Sequence, residues 1–107
     1  MVKFMVVLYR RKHFSAEEFR ANLLEVHGRL AESLPGLRRY VQNHVAADSS
    51  RPHPGWDAIV ELYWDDRASM EAAWRIPEGE SATQHLEEFV DLSRSTWAIV
   101  DEEVRRS

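Results

Sequence analysis

Histidine ordinarily titrates close to neutrality, and one of the five in this chain stands where a leucine would be expected. Phe19, Leu23, His27, Leu30 and Leu34 recur at steps of three and four, which places all five on one face of a helix. His27 is thus an imidazole set into an apolar stripe. Its pKa there can move in either direction with its neighbours, and the neutral ring is a competent general base near pH 7. The same place also suits a core histidine satisfied by one hydrogen bond, and the stripe alone leaves both readings open.

Other chemistries are poorly supplied. The chain has no cysteine, which removes thiol nucleophiles, disulfides and thiolate metal sites. The histidines show no HxH or HxxxH spacing and no carboxylate at ligand intervals, so no metal site is expected. His13 falls in a basic turn and His53 in a proline-rich loop, and neither suggests a ligand. There is no glycine-rich phosphate loop and no serine in a nucleophile elbow, so nucleotide cofactors and hydrolytic triads are not expected. The acidic pairs Glu17-Glu18, Asp65-Asp66 and Glu87-Glu88 sit at helix starts or on solvated helix faces, where dipole and solubility account for them.

The elements that must position His27 follow from periodicity. Val2 to Tyr9 reads as a strand apolar on both faces, closed by a basic turn. Ser15 to Glu18 is a capping box that opens the helix of the stripe, and Pro35-Gly36 stops it near Leu34. Leu37 to Ala46 is a strand whose inward face alternation does not fix, Ala47 to Gly55 a loop, and Trp56 to Trp64 a sharply alternating strand. A short helix with Met70, Ala73 and Trp74 on one face follows Asp65-Asp66 and is interrupted at Pro77 and Gly79. Ser81 to Gln84 resembles a second capping box, opening a helix lined by Leu86, Phe89, Val90 and Ser93. The segment Ile76 to Glu80 reads either as a lid or as a plain kink. Ser95 to Glu103 is the final strand, and residues 1–107 form one domain.

This order predicts the ferredoxin-like βαββαβ plan: a four-stranded antiparallel sheet with two helices on one face. A chain of 107 residues buries roughly 65% of its unfolded surface, so one modest core is available. Against that, a 44% hydrophobic content with four tryptophans is a large apolar load. Two helices cover one sheet face only, leaving Ile59, Tyr63 and one side of the first and last strands against water. Two such sheets packed face to face about a two-fold axis would bury them, so a homodimer is expected. The formal net charge of −4 argues against nucleic acid. No apolar run is long enough for a bilayer and no signal-peptide pattern opens the chain, so a cytoplasmic protein without membrane contact is expected.

Three segments carry a resemblance: Val26-His27-Gly28-Arg29-Leu30, Pro35-Gly36-Leu37 and Arg39-Tyr40-Val41-Gln42-Asn43. With the first strand before them and Trp56 to Trp64 after them, the chain resembles the EthD family of dimeric α+β barrel proteins over nearly its whole length. The resemblance implies a homodimer with a pocket between sheet and helices that takes small, often aromatic or lactone-like molecules. It further implies enzymes that work without metal or organic cofactor, such as isomerases and polyketide cyclases or dehydratases. In isomerase-like members a helix histidine and a strand tyrosine act on the substrate, and these correspond to His27 and Tyr40. A tyrosine hydroxyl can donate to an enolate or phenolate oxygen; the alternative is a ring filling the pocket rim or dimer seam. Asn43 alternates away from Tyr40 and is read as structural.

Catalytic His27 and Tyr40 are therefore expected, with Arg38, His44, Trp64, Trp74 and Phe89 as substrate-binding residues. The reaction expected is cofactor-independent isomerisation, cyclisation or dehydration of a small cyclic, aromatic or polyketide-derived molecule. Its rivals are a non-catalytic binding or accessory dimer of an oxygenase pathway and a cofactor-free monooxygenase.

Overall fold

The computed structural model describes residues 1–52 and 55–107, so His53 lies outside the described residues. Four strands, β1 (Val2–Leu8), β2 (Arg39–His44), β3 (Ala58–Trp64) and β4 (Thr96–Val100), form one antiparallel sheet in the order β2-β3-β1-β4. The register pairs Phe4 with Leu62 and Ile99, and Tyr40 with Leu62. Because side chains alternate across a strand, Phe4, Val6, Leu8, Tyr40, Gln42, His44, Val60, Leu62, Trp97 and Ile99 all take the helix side. The inward face of the second strand, which alternation left open, is thereby settled.

The first helical element has three parts: α1 (Ala16–Ala21), a π-helical segment Asn22–His27, and α2 (Gly28–Glu32). Ser15 and Glu18 form the expected capping box, each side chain bonding the other's backbone N–H at about 3 Å. The stripe Phe19, Leu23, His27, Ala31 is buried, with Ala31 taking the place expected of Leu30. Steps of four outrun a 3.6-residue turn, and the widened π turn absorbs the excess so that the stripe keeps facing the sheet.

The second helical element is two helices, α3 (Arg67–Arg75) and α4 (Pro77–Phe89). Asp66 caps α3 through the Ser69 N–H at 2.7 Å. The break is the extended Ile76, and Pro77 starts α4 at its first turn, where no N–H is missed. The expected capping box at Ser81 to Gln84 instead lies inside α4, and Thr83 bonds back to the Gly79 carbonyl at 2.9 Å. The helix also ends before Ser93, since Val90 is extended and bridges Arg10.

Of the two readings of residues 76–80, the packing favours the kink. Gly79 is buried against α3, where an added Cβ would stand 2.2 Å from the Ala73 carbonyl oxygen and 2.7 Å from Trp74 Cα. Gly79→Ala must push the two helices apart and is expected to cost about 1–3 kcal/mol. A lower urea midpoint at unchanged slope would show it; an unchanged midpoint would mean that the helices slide freely.

The core lies between sheet and helices around Leu8, Phe19, Leu23, Val60, Leu62, Trp64, Met70 and Phe89. The opposite sheet face is less apolar than the sequence suggested. Met5, Val7, Val41 and Ile59 are partly exposed there, but a polar band crosses them. Lys3 pairs with Glu61 and with Glu102, and Tyr63 donates to Glu102 at 2.9 Å. Tyr63 is therefore buried under its own chain rather than left against water. Among the described residues, no helix is long and apolar enough to cross a membrane.

Candidate active site

A cavity of about 360 Å³ opens between the helix side of the sheet and the helices. Phe4, Val6, Leu62 and Ile99 form its floor, and Met70, Trp74 and Leu86 its roof. His27 and Tyr40 both line it, brought there by the π segment and by β2.

His27 is 8% exposed. Burial, and then the nearby His85, push its pKa down to about 4, so the ring is neutral at pH 7. Its Nδ1 lies 3.2 Å from His85 Nδ1, which leaves Nε2 without a partner among the described residues and available to the cavity. The core-histidine reading is thus met at one nitrogen only.

The Tyr40 oxygen accepts from Gln42 Nε2 at 2.7 Å, so its own hydrogen remains free to donate. Burial raises its pKa, opposed by the Gln42 hydrogen bond, and the side chain is a neutral donor rather than a phenolate. Gln42 Nε2 also reaches the Leu23 carbonyl at 2.8 Å, the same oxygen that accepts the Gly28 N–H across the π turn. A Cβ at Gly28 would stand 3.3 Å from Gln42 Nε2, so a larger residue there would crowd this amide. This one amide joins the element that carries His27 to the strand that carries Tyr40. His44 holds the other end of Gln42 at 2.9 Å, with its own pKa lowered by burial and by Arg20.

The remaining expected binding residues are dispersed. Trp74 lines the cavity, edge-on to Trp64 and tilted on Phe4. Trp64 is fully buried behind it with Nε1 on the Pro35 carbonyl, and Phe89 is fully buried between Phe19 and the two histidines. Arg38 points to solvent in an ion pair with Asp65 at 2.7 Å. His44 borders a separate groove with Arg20 and Trp56. Asn43 is on the outer face, bonded to Glu61 and the Ile59 carbonyl. Trp97, 62% exposed, lines the cavity and stacks on Phe4.

By alternation Gln42 shares the Tyr40 side with Arg38 and His44, where polar side chains could orient a substrate; its amide instead holds the Tyr40 oxygen and the Leu23 carbonyl. One participant, His85, escaped the sequence reading. His85 could have been found, because it stands three residues after Ala82 and four before Phe89 on the apolar stripe of α4, as His27 stands on its own helix.

A four-stranded antiparallel sheet, helices on one face and an apolar cavity between them define an α+β protein of the ferredoxin-like kind. The EthD domain model matches residues 11–93, and the chain belongs to the EthD family. No curated protein matches it in sequence. In structure it is similar to an EthD family protein from Bacillus halodurans, at 22% identity and a TM-score of 0.79, over 96% of this chain and 100% of that one. A dimeric ferredoxin-like protein of unknown function from Thermobifida fusca aligns at 12% identity and a TM-score of 0.70, covering 94% and 90%. SnoaB, a cofactor-independent oxygenase from Streptomyces nogalater, aligns at 15% identity and a TM-score of 0.65, covering 99% and 94%. At these identities the likenesses speak for the fold.

Proposed function

We propose that this chain is a cofactor-independent acid–base enzyme that isomerises, cyclises or dehydrates a small cyclic, aromatic or polyketide-derived molecule in the apolar cavity. The observation that carries this is a neutral imidazole and a protonated tyrosine on the wall of one apolar cavity. His27 Nε2 would take a proton from carbon beside a carbonyl, and the Tyr40 hydroxyl would donate to the oxygen on which charge develops. Trp74 would contact the ring system, while Trp64 and Phe89 hold the wall behind it. Arg38 and His44 drop out as direct contacts in this reading, and His44 acts through Gln42.

Solvent deuterium uptake at the acidic carbon tests the reading, using a panel of anthrones, β-dicarbonyls and unsaturated lactones. Catalysed uptake is expected with at least one of them. Tyr40→Phe is expected to slow it roughly 100- to 1,000-fold, the range for loss of one oxyanion donor. Likeness to SnoaB favours a second reading, in which the carbanion meets O₂ in the same dry cavity. Oxygen consumption with those compounds would establish that one, and tight binding without uptake or oxidation would instead mark an accessory binder.

The reading includes a homodimer through the outer sheet face, supported by the partly exposed Met5, Val7, Val41 and Ile59 and by likeness to a dimeric protein. Light scattering at micromolar concentration is expected to give twice the 12.5 kDa of the chain, and a monomer mass would refute it.

A further inference from the structure

Helix α4 presents a second imidazole to the first. The rings of His27 and His85 lie nearly parallel, 13° apart, with centroids at 5.4 Å and the two Nδ1 atoms at 3.2 Å. On its far side His85 Nε2 stands 3.1 Å from a carboxylate oxygen of Glu88, whose side chain is 68% exposed against 11% for His85. The three groups thus run from the cavity wall to solvent.

Their protonation is constrained by counting hydrogens. A carboxylate only accepts, so His85 Nε2 carries a hydrogen. A neutral His85 then has a bare Nδ1, and the hydrogen between the two Nδ1 atoms must come from His27. A neutral His27 with its hydrogen on Nδ1 has a bare Nε2, the nitrogen available to the cavity. Glu88 at the surface therefore fixes the lone pair that a general base needs.

Resting on the acid–base reading above, we propose that His85 and Glu88 are the outer arm of a two-histidine proton relay, receiving through His27 the proton taken from substrate. In the forward step a substrate C–H bond breaks, its electron pair remains on the substrate as an enolate, and an N–H bond forms at His27 Nε2. The Nδ1 hydrogen of His27 passes to His85 Nδ1. His27 is neutral again, now with its hydrogen on Nε2, and His85 is an imidazolium beside Glu88. His27 Nε2–H then serves as the acid that reprotonates the enolate at a new position, while His85 returns its hydrogen to His27 Nδ1. Atoms and charge balance, and His27 acts as base and then acid without keeping a positive charge in the apolar wall. The depressed pKa of His27 fits this division, because the charge it disfavours is placed instead on the ring that faces the Glu88 carboxylate at 3.1 Å.

Two-bond ¹H–¹⁵N correlation spectra of the full-length protein at pH 7 report which ring nitrogen carries each hydrogen. Hydrogen on His27 Nδ1 and on His85 Nε2 is expected. In His85→Phe, which keeps an aromatic ring but removes the acceptor, His27 is expected to move to its Nε2–H form. Glu88→Ala, at an exposed position, is expected to mix the His85 forms and with them those of His27. A predominant Nε2–H form of His27 in the wild type, or spectra of His27 unmoved by both substitutions, would overturn the relay. With a carbon acid that the wild type exchanges, His85→Phe is expected to lower kcat roughly 10- to 100-fold at near-constant KM, the range for loss of an orienting partner; unchanged kcat would also overturn it. If the wild type exchanges none of the compounds, the acid–base reading fails, and the spectra still decide the hydrogen order independently.

Discussion

Replacing His27 with alanine is expected to lower catalysed deuterium uptake by about 10²–10⁴-fold, the range for loss of a positioned general base. The fold is expected to survive, because His27 lines a cavity instead of filling the core. The methylene and ring it removes open onto space already present, and the neighbouring wall is held by Phe89, Leu23 and Ala31. The cost at pH 7 should stay below about 2 kcal/mol, the lower edge for large-to-small core changes. A second variant, His27→Phe, keeps a ring against His85 and Phe89 and should be equally inactive with a smaller stability change. Loss of fold in both variants would restore the core-histidine reading. Full activity in either would remove His27 from the mechanism.

The same residue is expected to govern stability between neutral and mildly acidic pH. His27 has an ordinary pKa of 6.5 and about 4 when folded, so between those values the unfolded chain binds a proton that the folded chain does not. Stability from this group is fully present above 6.5 and is lost as pH falls towards 4. The whole span corresponds to about 3 kcal/mol, of which about 2 kcal/mol should be gone by pH 5. His44, whose pKa burial and Arg20 also lower, adds loss of the same sign. The carboxylates whose pKa values are lowered, such as Asp65 and Glu18, are exposed and act at lower pH. Urea unfolding at pH 7 and pH 5 should therefore show a marked drop for the wild type and a much smaller one for His27→Phe. Equal drops in the two proteins would mean that His27 is not held neutral by its surroundings.

These expectations rest on features that local sequence carried unequally. The capping box at Ser15, the alternation of Trp56 to Trp64 and the stripe through His27 are local patterns; the first two became the elements expected, and the third a helix widened by a π turn that brings Ala31 inward in place of Leu30. The motif containing His27 and Tyr40 likewise marked two residues that share one cavity. Local patterns misled where a distant contact decided the outcome. The four residues from Ser81 resemble a helix start, yet Pro77 had already begun that helix and Gly79 had locked it against Trp74. Tyr63 alternates to the outer face, yet Glu102 and Lys3, nearly forty and sixty positions away, cover it.

By itself, then, the sequence determined the elements, their order and the apolar stripe that holds an imidazole, because periodicity and capping act over a few residues. It also determined the family, through residues that lie close together along the chain. Tertiary structure alone decided which face of β2 meets the helices, since that depends on its pairing with β3. It alone joined Gln42 to the π turn and set His85 against His27 across 58 positions. A histidine's working state depends on what each ring nitrogen touches, and those partners come from other elements of the fold.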